Sequence, residues 1–407
     1  MGNKDSVVKK KSMDTLLLFA TLVLLGIGLV MVASASSYSA LAKYGDQNIL
    51  LKSQARFAVI GVLFMFFISK LDYNLYKKHS YLIYIISAIL MLLVFVPGIG
   101  KNTKGATRWI VIGSSISIQP SEFMKIALAM AVSKYITENY KNMHEFKHLI
   151  VPVAMLTSVV VIMYFQNHLS GSLVMIAIAG SIILASGIKI KKRYIFLGIL
   201  LLGVALYLFL FGLPWQEKSE EGSFRLQRII AHFKADEDDK DVQWQGNQSL
   251  FAVGSGGVFG RGLGQSRQKY LYLPEAQNDF IFSIYAEEFG FVGSVIVIGI
   301  FFLLIYRGYI VAAHQKDMYS MLLATGITTM LAFQTIVNIA VVTAIIPVTG
   351  MPLPLFSFGG TALVINLAAI GVLLNLSRYV EKEEEKNESS FCLCRYRRTY
   401  KSSYSNS

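Results

Sequence analysis

Long apolar runs recur along the chain, and the charged residues are confined to short clusters between them. Several runs, including 16–33, 80–97 and 194–213, reach or approach the roughly 20 residues that a helix needs to cross a bilayer. Hydrophobic residues make up 54% of the 407 positions. About ten such runs cannot all be buried inside a globule of this size. The pattern therefore predicts an all-α, polytopic membrane protein.

The apolar runs predict about ten transmembrane helices. They fall near residues 14–35, 54–71, 80–98, 121–138, 149–166, 170–188, 193–213, 279–306, 316–346 and 356–377. If the N-terminus is cytoplasmic, every inside segment is basic, as the positive-inside rule requires. The expected organisation is a cytoplasmic N-terminus over 1–13, a membrane domain over 14–378 and a disordered cytoplasmic tail over 379–407.

The net charge of +13 would indicate a nucleic-acid partner in a soluble protein. Here the basic residues flank the apolar runs and set their orientation, so no nucleic-acid partner is expected. The only two cysteines, Cys392 and Cys394, have a spacing that matches no usual zinc or redox motif. The composition therefore points to the membrane and to no bound metal.

Two segments on the predicted outer side are unusual. The first, 99–120, is short yet basic, which works against the orientation rule. The second, 214–278, has too many aromatic residues for a solvated linker, so we expect it to be ordered along the outer membrane surface. Its glycine-rich passage, 254–264, lacks the Gly-Lys-Ser/Thr ending of a nucleotide loop. We interpret that passage as a compact turn whose backbone approaches a ligand.

Asp279 stands where the long outer loop becomes the eighth span, shortly after Pro274. Charged residues near bilayer depth are energetically expensive and usually functional. An aspartate in a first helical turn is also a good N-cap, although Asn278 could fill that place instead. From the residues alone, capping and catalysis explain Asp279 equally well.

The other charged residues near the outer boundary have plainer explanations. Glu287 and Glu288 lie two to three turns further along the eighth span, where a structural ion pair within the bundle is expected. Glu122 and Lys125 are three residues apart and share a helix face, which predicts an intrahelical pair. Arg108 suits bidentate phosphate binding, and interfacial anchoring explains it equally well.

Glycine and proline are dense in 347–354 and 357–361, between the ninth and tenth spans. Such density inside an apolar region indicates a broken or re-entrant segment. Irregular backbone at this depth is tolerated only where protein or water satisfies its polar groups. We therefore expect this segment to line a cavity.

Short motifs of distinctive composition are spread over most of the chain. They are Arg108-Trp109-Ile110, Gln119-Pro120-Ser121-Glu122, Gln248-Ser249-Leu250, Gly264-Gln265-Ser266-Arg267-Gln268-Lys269, Leu273-Pro274-Glu275, Asp279-Phe280-Ile281-Phe282, Glu287-Glu288-Phe289-Gly290 and Pro347-Val348-Thr349-Gly350. Together with the glycine run they resemble the SEDS family, named for shape, elongation, division and sporulation. The resemblance extends from the first span to the tenth and is closer to the FtsW and SpoVE members than to the RodA members.

The resemblance implies a ten-span fold and peptidoglycan glycosyltransferase activity on lipid II. Asp279 matches the family's essential aspartate, and as a general base it would take the proton of the GlcNAc 4-hydroxyl in an inverting transfer. Arg108 and Lys125 are candidates for stabilising the pyrophosphate leaving group. The residues assigned to substrate binding are Arg108, Glu122, Lys125, Gln248, Ser249, Lys269 and Glu275.

The resemblance also implies the substrates, the protein partners and the membrane location. The donor is a growing glycan on undecaprenyl pyrophosphate, the acceptor is lipid II, and the partners are a class B penicillin-binding transpeptidase and divisome proteins. The chain would then be a multi-pass protein of the bacterial cytoplasmic membrane with both termini inside. No cofactor and no metal site are predicted, and a divalent cation, Mg²⁺ or Mn²⁺, is left open.

Three other functions compete with a polymerase of division or sporulation: a lipid II flippase, a RodA-like elongation polymerase, and a scaffold without chemistry. A flippase predicts functional ionisable groups near the bilayer midplane, whereas the candidates here cluster at the outer end. The sequence therefore favours polymerisation.

The chain departs from the family pattern in three places. After the fifth span, where Pro-Asp-Leu-Gly is usual, it has Asn167-His168-Leu169-Ser170-Gly171. Ser357-Phe358-Gly359-Gly360-Thr361 replaces Ser-Tyr-Gly-Gly-Ser, and Asn278 replaces a threonine. His168 is expected to be a polar interface residue rather than a ligand. None of these changes removes Asp279.

Overall fold

The computed structural model describes residues 12–103, 106–112, 116–143, 145–188, 240–270 and 272–379. The helices in this part are α1 (Thr15–Tyr44), α2 (Ile49–Lys70), α3 (Tyr73–Leu93), α4 (Pro120–Glu138), α5 (Phe146–Phe165), α6 (Leu169–Ala185), α7 (Lys240–Ser255), α8 (Ile281–Ala313), α9 (Met318–Val342) and α10 (Gly360–Ser377). The predicted seventh span at 193–213, the outer loop before 240 and the tail from 380 lie outside the described residues, as do residues 1–11.

The described chain is a mostly helical, multi-pass membrane protein. Six of its helices are long and apolar enough to cross a membrane. Large apolar side chains stay exposed along the outward faces of α2 and α8, as lipid contact requires and aqueous solvent would disfavour. Examples are Val59, Leu63, Phe67, Phe291, Ile296 and Phe302. The count of ten spans stays a prediction.

The centre of the bundle is formed by α4, α9 and α10, which pack against one another and bury most of their side chains. Around them, α2 packs on α10, α3 on α4, α6 on both α4 and α9, and α8 on both α1 and α9. Pro120 begins α4 at a position where its missing N–H leaves no helical bond unmade.

Some helices are longer than the apolar runs predict, because polar residues continue the helix beyond the run. Asp14 caps α1 by accepting from the Leu17 N–H at 3.0 Å, and Gly45 ends the helix in the left-handed conformation. This helix extends well beyond the expected end at 35 because its serine- and alanine-rich continuation is helical without being apolar. For the same reason α3 begins at Tyr73 rather than near 80.

A three-stranded antiparallel sheet occupies the outer segment between α3 and α4, where no strand was predicted. Its strands are β1 (Gly100–Thr103), β2 (Ala106–Ile112) and β3 (Ile116–Ile118), in the order β1-β2-β3. Residues 109–112 of β2 are aromatic or β-branched, the residue types that favour strands. Arg108 therefore stands on a fixed strand rather than on a loop.

The helix α8 is broken at Gly290, which has φ 68 and ψ −164. The glycine run packs into this break, with the Phe291 N–H donating to the Gly257 carbonyl at 2.9 Å and the Val292 N–H to the Val258 carbonyl at 3.1 Å. A Cβ at Gly290 would lie 2.2 Å from the Gly260 nitrogen. The run thus approaches the protein's own backbone, and the part of α8 before the break is a separate short helix.

The glycine- and proline-rich segment between α9 and α10 is non-helical, as its composition predicts; it is partly exposed over 346–350 and buried over 353–357. Its backbone lies against α1, since a Cβ at Gly28 would come within 2.5 Å of the Leu355 carbonyl oxygen. Gln54 of α2 holds its end, because Nε2 donates to the Ser357 carbonyl and Oε1 accepts from the Gly359 N–H, both at 3.1 Å. Protein groups therefore satisfy this irregular backbone.

Candidate functional site

Asp279 lies in the turn before α8, whose N-cap residue is Phe280. A Cβ built at Gly350 would lie 3.6 Å from Oδ2 of Asp279, so the carboxylate lies beside the non-helical segment. The side chain of Asp279 is partly exposed. Capping and catalysis both stay predictions for this carboxylate.

The backbone around Asp279 is fixed by hydrogen bonds to two other parts of the fold. Nδ2 of Asn338 in α9 donates to the Asp279 carbonyl at 2.8 Å. The Phe358 N–H donates to the Gln277 carbonyl at 2.9 Å. Asn338 lies about 30 Å along α9 from its first residue, so Asp279 stands at the end of the bundle opposite to Met318. These bonds place the carboxylate at one membrane face.

Glu275 and the residues of the Gln248-Ser249 motif form the scaffold around Asp279. Oε2 of Glu275, a residue with φ 56, accepts from Nδ2 of Asn278 at 2.6 Å, which closes the turn. Ser249 is fully buried, and its hydroxyl lies 2.8 Å from that of Ser283 and donates to the Val342 carbonyl at 2.7 Å. Gln248 is also buried. The serine thus ties α7 to α8 and α9.

Glu287 and Glu288 each bind a different part of the loop before α8. Glu288 pairs with Nζ of Lys269 at 3.2 Å and accepts from the Ser34 hydroxyl at 2.6 Å. Glu287 accepts from the Ser266 hydroxyl and lies 3.9 Å from Nε of Arg261. Both glutamates are about 1% exposed. Lys269 therefore holds the loop against α1 and α8 as part of an ion pair.

Glu122 and Lys125 form a buried ion pair in the first turns of α4. Nζ of Lys125 lies 2.7 Å from Oε2 of Glu122, and the two side chains are 4% and 7% exposed. The neighbouring Ser121 hydroxyl is buried without a hydrogen-bond partner among the described residues. The i,i+3 spacing in the sequence predicts this pair.

Arg108 reaches from β2 to the end of α5. Its Nε donates to the Gln166 carbonyl at 3.4 Å, and Nη2 donates to the Asn167 carbonyl. Gln166 is the C-cap of α5 and Asn167 follows it, so the guanidinium lies just beyond the C-terminal end of the helix, where a cation is favourable. His168 follows, buried and with Nδ1 unpartnered in the described part of the chain. Burial lowers the pKa of the His168 imidazole well below its usual range, and the charges of Arg108 and Lys125 lower it further.

The candidate residues thus fall into three groups: the turn of Asp279, the loop ion pairs on α8, and the charged end of α4 beside β2. Three supporting residues were not predicted: Asn338 holds the turn, Gln54 the non-helical segment and Ser34 the Glu288 carboxylate. A polar amide inside an apolar span was the available signal for the first two. Among the described residues no group of three or more His, Cys, Asp or Glu could hold a metal ion.

Comparison with known sequences places the chain in a family. Residues 15–382 match the FtsW/RodA/SpoVE family, described as "Cell cycle protein". Stage V sporulation protein E of Bacillus subtilis is 42% identical over 372 residues, covering 91% of this chain and 98% of that protein. A probable peptidoglycan glycosyltransferase FtsW of Geobacter sp. strain M18 is 37% identical over 366 residues, covering 89% and 96%.

Solved structures agree with this assignment. The Thermus thermophilus rod shape determining protein RodA superposes with a TM-score of 0.65 at 26% identity, covering 91% of this chain and 98% of that one. A chain from a peptidoglycan synthase complex that coordinates polymerization and crosslinking superposes with a TM-score of 0.72 at 25% identity, covering 90% and 98%. The match over almost the whole length shows that the chain belongs to the FtsW/RodA/SpoVE family, the family that its motifs resemble.

Proposed function

We propose that this protein is a peptidoglycan glycosyltransferase that polymerises lipid II in cell division or sporulation. The observation that carries the proposal is the Asp279 carboxylate. It is partly exposed and lies beside the non-helical segment at Gly350. Relatives named as probable peptidoglycan glycosyltransferases, matched over most of the chain, support the reaction class.

Asp279 acts as the general base. Its carboxylate takes the proton from the GlcNAc 4-hydroxyl of lipid II, and that oxygen forms a bond to the anomeric carbon of the donor glycan. The bond from that carbon to the undecaprenyl pyrophosphate breaks with inversion, and the pyrophosphate leaves with the electron pair. A positioned base of this kind contributes about 10²–10⁴-fold in rate.

Cations at the leaving pyrophosphate complete the proposed chemistry. Lys125 is positioned by its ion pair with Glu122, and Arg108 by its hydrogen bond to the Gln166 carbonyl after α5. We propose that these two cations stabilise the negative charge of the leaving pyrophosphate. A divalent cation, Mg²⁺ or Mn²⁺, bound by the substrate pyrophosphate would supply further positive charge. Ser249, Glu275 and Lys269 support the site through the loop and turn that they fix, and Gln248 is buried next to Ser249 in α7.

The proposed setting is the bacterial cytoplasmic membrane, with Asp279 at the outer face and both termini in the cytoplasm. The basic inside segments of the sequence support this orientation. A class B penicillin-binding transpeptidase is the proposed partner, together with other divisome proteins. A similar chain that belongs to a complex for polymerization and crosslinking supports such pairing.

The test is polymerisation of lipid II by the purified protein, with and without its cognate transpeptidase. We expect Asp279→Asn to keep the fold and lipid II binding but to lose polymer on a gel by about 10²-fold or more. Asp46→Asn, which removes an exposed carboxylate between α1 and α2, is the matched control and should leave polymer unchanged. Full polymerisation by Asp279→Asn would remove this carboxylate from the mechanism, and movement of lipid II across vesicles without polymer would favour a flippase.

A further inference from the structure

A second cleft lies beside α7, apart from the turn of Asp279. It has a volume of about 380 Å³ and is bounded by α7, the loop after it and the first part of α8. Its lining includes Leu250, Phe251, Arg261, Arg267, Gln268 and Glu287. The cleft is apolar on the α7 side and cationic on the loop side, and we call it the arginine cleft.

The two arginines of the cleft have hydrogen-bond donors to spare. The Arg267 side chain is exposed, and its guanidinium makes no hydrogen bond or ion pair with the residues that the structure describes. Arg261 uses only Nε, which donates to the Ser255 carbonyl at 3.1 Å and lies 3.9 Å from Glu287. A guanidinium carries five N–H donors, so each of the two arginines can still bind an anion.

Glu287 offsets part of the positive charge of Arg261, but its carboxylate oxygens are hydrogen-bonded within the wall of the cleft. It accepts from the Ser266 hydroxyl, from the Arg267 N–H at 2.9 Å and from the Gln268 N–H at 3.3 Å. With 1% exposure it faces the protein rather than the opening. Its role is to hold the backbone that carries Arg267 and thereby to point that side chain outward.

The cleft stands at the depth where lipid phosphates lie. Glu288, beside Glu287, is bonded to Ser34 of α1. Ser34 lies about 30 Å along α1 from Asp14, which is the thickness of the hydrocarbon core. At the same level Phe251 is 61% exposed and Leu250 43%, so an acyl or prenyl chain can contact the apolar side. An arginine pair above exposed apolar side chains matches a lipid with an anionic headgroup.

We propose that the arginine cleft binds the phosphate of an outer-leaflet lipid, and that in polymerisation it holds the pyrophosphate of the lipid II acceptor. This assignment rests on the proposed function. Glu287 lies eight residues after Asp279, and the helical part of that stretch, 281–287, spans about 9 Å. In lipid II a disaccharide separates the pyrophosphate from the GlcNAc 4-hydroxyl. A molecule bound at Arg261 and Arg267 can therefore present that hydroxyl to the base.

The test compares Arg261→Gln/Arg267→Gln with Lys52→Gln/Arg56→Gln in the full-length protein. The second pair removes two exposed charges from α2, away from the cleft. We expect the cleft variant to raise the KM for lipid II about tenfold or more while kcat stays within about threefold. A photoreactive lipid II analogue should label the loop 261–268 in the wild type and less in the cleft variant. The α2 control should behave as the wild type in both measurements.

Several outcomes separate the possibilities. An unchanged KM and unchanged labelling in the cleft variant would overturn the assignment. Equal protection from labelling by phosphatidylglycerol and by lipid II would assign the cleft to a phospholipid and overturn the acceptor part. Arg267→Gln alone, at an exposed side chain without a described partner, keeps the test valid if the double variant fails to fold. If the wild type is labelled by the lipid II analogue but makes no polymer, the proposed function is wrong, whereas the assignment of the cleft as a lipid-phosphate site still stands.

Discussion

Asn338 of α9 joins the backbone of Asp279 to the non-helical segment before α10. Its Nδ2 donates one hydrogen bond to the Asp279 carbonyl and another to the Met351 carbonyl, both at 2.8 Å. The Asn338 side chain is fully buried. One amide thus fixes the spacing between the proposed base and the segment that its carboxylate faces.

Replacing the Asn338 amide should lower the turnover of the enzyme without weakening its binding of lipid II. Asn338→Leu keeps a similar volume but leaves both carbonyls without their donor. We expect kcat to fall by up to about 10²-fold because a slightly misplaced base loses its alignment, while the KM for lipid II changes little. The measurement is initial polymerisation rate against lipid II concentration.

Asn375→Leu is the matched control for Asn338→Leu. Asn375 also donates through Nδ2 to backbone carbonyls, those of Ile68, Ser69 and Leu71, at the far end of the bundle. Loss of a buried donor should lower the stability of either variant by about 1–3 kcal/mol. Only Asn338→Leu should lower the turnover of the folded protein. Turnover within twofold of the wild type in that variant would contradict a positioning role.

Gly290 should tolerate no side chain. Its φ of 68 is unfavourable for alanine, and a Cβ would lie 2.2 Å from the Gly260 nitrogen and 2.6 Å from the Val258 carbonyl oxygen. We expect Gly290→Ala to destabilise the protein by about 2 kcal/mol or more, since packed backbone must shift. Thermal unfolding in detergent measures this.

Gly299→Ala is the control within the same helix, because nothing lies within 4 Å of its added Cβ. Alanine favours the helix there by up to about 1 kcal/mol. If Gly290→Ala were as stable as Gly299→Ala, the break in α8 would not depend on this glycine.

The sequence predicts the helical elements better than the contacts between them. Apolar periodicity and charge located most spans, and glycine and proline density located the broken segment before α10. The sheet around Arg108 was missed because its strands are short and lie in a basic outer segment. The bond from Ser34 to Glu288 joins residues 254 positions apart. Such a pairing depends on how whole helices pack, which no local pattern contains.

The roles of individual residues are likewise predictable where the contact is local and not where it joins distant parts of the chain. Glu122 and Lys125 pair within one helix, so their spacing alone predicts the contact. Asp279 lies against α9 and the segment after it, which are distant in sequence, so its spacing in the chain could not predict these contacts.

The buried pair of Glu122 and Lys125 should be sensitive to removal of one partner. Glu122→Gln leaves a buried ammonium without its carboxylate and should lower stability by about 3–5 kcal/mol. Glu122→Leu/Lys125→Met replaces both charges by apolar groups and should recover most of that loss. Thermal unfolding and polymer yield are measured on the same preparations. Full activity in the stable double variant would show that the pair is structural and does not contact substrate.

His168 should make the protein less stable in acid. Burial and the nearby cations depress the pKa of its imidazole below the ordinary value of 6.5, so the unfolded chain binds a proton more readily than the folded one. Above pH 6.5 both states hold a neutral ring and His168 has no effect. As the pH falls below 6.5, stability is lost at up to about 1.4 kcal/mol per pH unit until the folded pKa is reached. His168→Gln cannot take up this proton and should unfold at a more nearly constant temperature between pH 7.5 and 5.5 than the wild type. His314→Gln, at an exposed residue after α8, should keep the wild-type loss. An equal loss in His168→Gln would show that another group causes the acid sensitivity.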